Sequence, residues 1–109
     1  MANRLPYTAN TASGERFDIS FPLHPETSSP VRVSQLVSAV LAAIDREVMV
    51  GQTTSNGDVL QAMAMALAIR ASMIEAAKPT TDQLAADLVR TALTAMNDAD
   101  RRYSHVGHA

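Results

Sequence analysis

The chain has 109 residues, a formal net charge of −2 and no cysteine. The length suits one domain able to bury a core without metals or disulfides, and the missing thiols exclude disulfide scaffolds, thiolate catalysis and Cys-based metal sites. Acidic and basic residues are spread evenly along the chain, so it lacks the general electrostatic footprint of a nucleic-acid or anionic-membrane binder.

Hydrophobic residues make up 47% of the chain and aromatics only 4%, with no tryptophan. The core must therefore come from Ala, Leu, Val, Ile and Met. Nineteen alanines and six methionines favour helices, because these side chains lose little freedom in a helical backbone. Abundant Ala and eight Arg against one Lys point to a GC-rich bacterial genome. No apolar leader and no 18-residue apolar run is visible, which makes the cytoplasm the expected location.

In chain order, residues 1–30 are rich in Pro, Thr and Ser and read as an extended N-terminal arm. Within it Phe17-Asp18-Ile19-Ser20-Phe21 alternates apolar and polar, the period of a half-buried strand, and Pro22 suits its end. One short strand cannot stand alone. It must pair with residues near Leu5–Thr8, pair with a symmetry mate, or lie across helices; otherwise Phe17, Ile19 and Phe21 simply plug a groove.

A polar loop at 24–30 leads to a first helix over Val33–Met49. Val33, Leu36, Val37, Val40, Leu41, Ile44 and Val48 share one face at helical spacing. Ser29 or Ser34 is placed to cap it, and Gly51 suits its C-terminal end. The turn at 51–58 supplies Ser55 or Asn56 as cap for a second helix over Asp58–Ala77, with Asp58 favourably near the positive end of the helix dipole.

That second helix is apolar on two sides. Val59, Leu60, Met63, Leu67 and Ile74 form one stripe, and Met65, Ile69 and Met73 form another, bridged by Ala62 and Ala66. A helix apolar nearly all round is expected to be buried, here between its neighbours or against another subunit. Pro79 stops it. Thr80 and Gln83 have capping-box spacing for a third helix over Thr81–Arg102, with Leu84, Ala85, Leu88, Val89, Ala92, Met96, Ala99 and Tyr103 as its buried face.

The expected fold is thus mainly α: a three-helix domain over 31–104, with helices 2 and 3 as an antiparallel hairpin. The arm with its single strand at 17–21 precedes it, and a flexible tail follows at 105–109. The surplus apolar surface of helix 2 predicts a dimer, with Met65, Ile69, Met73, Phe17, Ile19 and Phe21 as its interface residues.

Chemistry is sparse. His24 precedes Pro25 in a loop without a matched nucleophile and acid. His105 and His108 have no third ligand nearby, so no metal site is expected. The 51–58 turn lacks a phosphate-loop pattern and any lysine. No catalytic residue and no cofactor is expected. The leading expectation is a non-enzymatic, homodimeric adaptor or regulatory accessory protein that binds a protein partner. Methionines lining a pocket would suit a small hydrophobic ligand as an alternative.

The order strand (17–21), helix (33–49), turn and helix (58–71) resembles the ribbon-helix-helix regulators over about half the chain. The resemblance implies a DNA-binding dimer. It departs in the acidic Asp18 on the outward side of the strand, in the long strand-to-helix connection, and in the additional third helix. A helix-turn-helix would need a polar, basic recognition helix, which neither later helix supplies.

Overall fold

The computed structural model describes residues 3–11, 13–50 and 53–103. Six elements follow in order: β1 (Arg4–Asn10), β2 (Glu15–Pro22), α1 (Pro30–Val50), α2 (Asn56–Ser72), α3 (Lys78–Met96) and β3 (Asp100–Tyr103). The fold is therefore mixed α/β, which corrects the mainly α expectation. The N-terminal arm with one strand is instead a β-hairpin, and the end of the expected third helix is a third strand.

The three strands form an antiparallel sheet in the order β1-β2-β3. Of the pairings open to the 17–21 strand, the one with residues near Leu5–Thr8 is realised: Leu5 lies opposite Phe21, Tyr7 opposite Ile19 and Ala9 opposite Phe17. Pro6 and Pro22 fall in the same register class, opposite Ser20 and Arg4. Since neither can donate, those are the pairs that exchange no ladder bonds. The even-numbered backbone groups of β1 therefore face its outer edge, where Pro6 removes the donor between Arg4 and Thr8. That blunts the edge against further strands.

The hairpin turn is held by Thr11. Its N–H donates to the Glu15 carbonyl (2.9 Å), and its carbonyl accepts from the Gly14 N–H (3.1 Å). Its hydroxyl also accepts from the Glu15 N–H at 3.0 Å. Gly14 has φ 92°, a left-handed conformation that costs a side-chain-bearing residue a clash with its own backbone.

Helix α1 starts where Ser29 caps it, its hydroxyl accepting from the Arg32 N–H at 3.2 Å. Pro30 occupies the first helical position, where a missing N–H removes no intrahelical bond. Helix α2 begins with a reciprocal capping box. The Ser55 hydroxyl accepts from the Asp58 N–H at 3.0 Å, and the Asp58 carboxylate accepts from the Ser55 N–H at 3.3 Å. Its C-terminus comes at Ser72 rather than Ala77. A continuous helix would drive the Pro79 ring into the carbonyl of Glu75, so the chain breaks at 73–77 and Pro79 falls in the first turn of α3.

The capping box expected at Thr80 and Gln83 is consequently not formed. Helix α3 begins at Lys78, Thr80 is already helical, and the Gln83 amide donates to Asp87 (2.9 Å) further along the helix. Helix α3 stops at Met96, not Arg102. Asn97, Asp98 and Ala99 donate to carbonyls three residues back, tightening the last turn, and the chain turns into β3.

By backbone contact the chain divides into two units, Met1–Val37 with Arg90–Ala109, and Ser38–Val89. In the first, Ile19 and Ala95 are buried and Leu5, Tyr7, Ala9, Phe17 and Phe21 are half-buried on the Ile19 face of the sheet. In the second, Thr81 is the buried residue among those described, its hydroxyl satisfied by the Lys78 carbonyl at 3.1 Å. Among the described residues, β1 with β2 and β2 with β3 are in close backbone contact; the expected hairpin of α2 with α3 is not shown. The expected tail at 105–109 lies outside the described residues. No helix among the described residues is long and apolar enough to cross a membrane.

Candidate functional site

The six residues singled out from the sequence divide between two surfaces. Phe17, Ile19 and Phe21 alternate along β2 and point to one side of the sheet, where Ile19 is 6% exposed and the two phenylalanines are half-buried. They serve the hairpin's own packing through cross-strand pairs with Ala9, Tyr7 and Leu5. Met65, Ile69 and Met73 lie on α2 and its C-cap and are 58%, 66% and 66% exposed.

The exposure of α2 extends round the helix. Leu60, Met63, Leu67 and Ile74 from the other stripe are exposed too, and no residue of α2 is buried. Because the apolar side chains surround the axis instead of gathering on one side, no rotation of this helix presents a polar face to water while hiding the rest. Its two charged residues sit at opposite ends, Asp58 in the first turn and Arg70 in the last. Both placements favour the helix dipole.

The sheet carries the polar chemistry. On the Ile19 face, Arg101 of β3 lies opposite Phe17, with its guanidinium carbon 5.3 Å from the Phe17 ring centre and 5.6 Å from that of Tyr103. Both its Nε and an Nη donate to Glu15. This hydrogen bonding, with the attraction of the nearby carboxylate, holds the guanidinium pKa above its ordinary value against the opposing effect of desolvation. Glu15 and Tyr103 are themselves register partners. The group fastens β3 to β2 and uses Arg101 as a planar cation between two rings.

On the opposite face, β2 and β3 place Arg16 across from Arg102 and Asp18 across from Asp100. Directly opposed like charges destabilise a sheet, and here each is offset along its own strand. Arg16 pairs with Asp18 at 3.2 Å and Arg102 with Asp100 at 2.7 Å. The Thr8 hydroxyl donates to Asp18 at 2.7 Å. That bond is the main reason the Asp18 carboxyl pKa lies below its ordinary value, with Arg16 and Arg102 adding to it and desolvation opposing it. The Arg4 side chain donates to the Ser20 hydroxyl and carbonyl on the same face. A shallow recess at the hairpin end is lined by Asn10, Thr11, Gly14, Arg16 and Arg102, with Glu15 and Tyr103. Its two arginines already have carboxylate partners.

Of the histidines, His24 accepts the Glu26 N–H at Nδ1 (3.1 Å), which organises its own loop. His105 and His108 lie outside the described residues. Among the described residues no three His, Asp or Glu side chains converge as a metal site.

Sequence reasoning missed β3 and its arginine stack. The available signal was Asn97-Asp98, a pair of turn-forming residues inside the expected third helix. β1 also had a readable signal, since Leu5, Tyr7 and Ala9 alternate with Pro6, Thr8 and Asn10. No protein-family model, curated protein or solved structure matches the chain.

Proposed function

We propose that this protein acts by association and not by catalysis: a homodimeric adaptor or regulatory accessory module, working in the cytoplasm, whose helical surface takes up a second copy and presents the assembly to a protein partner. The observation that carries the reading is the exposure of α2, with Leu60, Met65, Ile69 and Met73 each more than half accessible. Contiguous apolar surface on a water-facing helix marks a place where another surface belongs.

Association is favoured over the ribbon-helix-helix reading by the position of β2. It is the central strand, with β1 and β3 of its own chain on either side, so it has no free edge to share with another copy. Its polar face, moreover, balances arginines with aspartates.

Light scattering across a range of protein concentrations tests the reading. A dimer is expected, and the double variant Met65→Glu/Met73→Glu should dissociate it at least tenfold more readily while retaining the helical circular-dichroism signal. A monomer at high concentration overturns the proposal. Loss of helicity in the double variant assigns those methionines to the core of a single copy, which also overturns it.

A further inference from the structure

We infer that Asn56-Gly57, in the first turn of α2, is a self-modification site. Asn56 deamidates through a succinimide, the Ser55–Asp58 capping box sets the rate, and the isoaspartyl product uncaps the helix. This stands independently of self-association.

The backbone at residue 57 does not require glycine. Its φ is not positive, and a Cβ there would meet only the Ser55 hydroxyl, at an ordinary contact distance of 3.7 Å. Glycine is a poor helix former, but it leaves the peptide nitrogen after Asn56 unshielded, as ring closure needs. That nitrogen is also unengaged. Its helical acceptor would be residue 53, which lies outside α2, so the Gly57 N–H belongs to the set a helix leaves unpaired. It has no acceptor among the described residues, and the Ser55 hydroxyl takes the Asp58 N–H. Asn56 and Gly57 are both exposed, and the Asn56 carboxamide has no partner among the described residues.

The reaction consumes water, releases ammonia and needs no redox partner. Solvent base removes the Gly57 amide proton, the nitrogen attacks Asn56 Cγ, and the Cγ–Nδ2 bond breaks as ammonia leaves. Water then opens the cyclic imide. Opening at Cγ gives aspartate, and opening at the main-chain carbonyl gives isoaspartate, whose chain runs through Cβ and Cγ. The charge developing on nitrogen and oxygen lies at the positive end of the helix dipole, while the Asp58 carboxylate opposes it. A helical ψ at Asn56 holds the Gly57 nitrogen out of line with Cγ, so the first turn must open before the ring can close. The capping box holds that turn shut, through the Ser55 hydroxyl on the Asp58 N–H (3.0 Å) and the Asp58 carboxylate on the Ser55 N–H (3.3 Å). Isoaspartate lengthens the main chain between Ser55 and Asp58 by a methylene, so the two bonds no longer meet in register.

Incubation of the purified full chain at mildly alkaline pH, followed by peptide mass spectrometry, reads the rate at each asparagine. Asn56 is expected to exchange its amide for a carboxyl at least tenfold faster than Asn10 or Asn97, which precede Thr11 and Asp98. Gly57→Ala fits the fold and should slow the reaction at least tenfold. Ser55→Ala should speed it about fivefold, the factor by which a typical N-cap holds a first turn closed. Loss at Asn56 no faster than at Asn97, or undiminished in Gly57→Ala, overturns the site. An unchanged rate in Ser55→Ala overturns the gating by the capping box. Asn56→Asp carries the new charge on an ordinary backbone and should keep the helical circular-dichroism signal. The deamidated fraction, separated by anion exchange and dominated by isoaspartate, should lose part of that signal, and equal signals overturn the uncapping.

Discussion

The sheet and α2 solve the problem of apolar residues in opposite ways. On β2, Phe17, Ile19 and Phe21 each have a cross-strand partner eight to sixteen positions away in sequence, and Ile19 is nearly sealed. On α2, every backbone bond is local, so the helix is complete as a hydrogen-bonded object while its side chains remain uncovered. A strand cannot exist without its neighbour, whereas a helix can be fully formed and still lack one. The location of missing partners is therefore readable on helices first.

The sharpest way to break this contrast compares two isoleucines. Ile19→Ala should cost about 2–4 kcal/mol, the usual effect of emptying a well-packed site, and the loss should not depend on protein concentration. Ile69→Ala should cost about 1–2 kcal/mol, and only at concentrations where the protein self-associates, because it acts through mass action. Denaturant unfolding at two concentrations a hundredfold apart separates them. An Ile69→Ala effect that ignores concentration would make α2 an ordinary core helix.

What could be read from the sequence follows the same division. The strand at 17–21 emerged from its alternation, and its pairing with residues near Leu5–Thr8 stood among the options. The Ser55 cap of α2 and the Ser29 cap of α1 were legible because caps are local chemistry. The excess apolar surface of α2 was legible too, being a property of one helix. By contrast β3, Asp-Arg-Arg-Tyr, has no apolar alternation. It is fixed by a contact such as Arg101 with Glu15, 86 positions away. Thr80 and Gln83 had good capping spacing, yet Pro79 fits better inside the first turn of α3 than ahead of it. Local signals were sound where nothing distant competed.

Gly14 sharpens the hairpin side of the comparison. With φ at 92°, Gly14→Ala should destabilise the protein by about 1–2 kcal/mol through backbone strain alone. Gly14→Asn should cost less, because asparagine tolerates the left-handed region. Thermal unfolding of the three proteins orders them, and equal melting temperatures would show that the turn relaxes to another conformation.

The smallest effect tests whether the polar face of the sheet is set by geometry or merely by charge. Thr8 is the leading cause of the lowered Asp18 pKa, ahead of both arginines. A carboxyl whose pKa is depressed on folding contributes stability that is present above its unfolded value and is lost as pH falls through the folded one. The sheet should therefore loosen slightly only in the acid range, below the ordinary aspartate value, with no change near neutrality from this group. Thr8→Val keeps the side-chain volume and removes the donor. It should raise the Asp18 pKa toward its ordinary value and leave the strand register intact, both visible in a carboxyl-carbon NMR titration. If the pKa stays low in Thr8→Val but rises in Arg16→Gln, the arginine holds the carboxylate and the hydroxyl only follows it. Since Asp18 lies directly opposite Asp100, a rise in its pKa would also relieve the like-charge opposition, so the acid-range loosening should be weaker in Thr8→Val than in the parent chain.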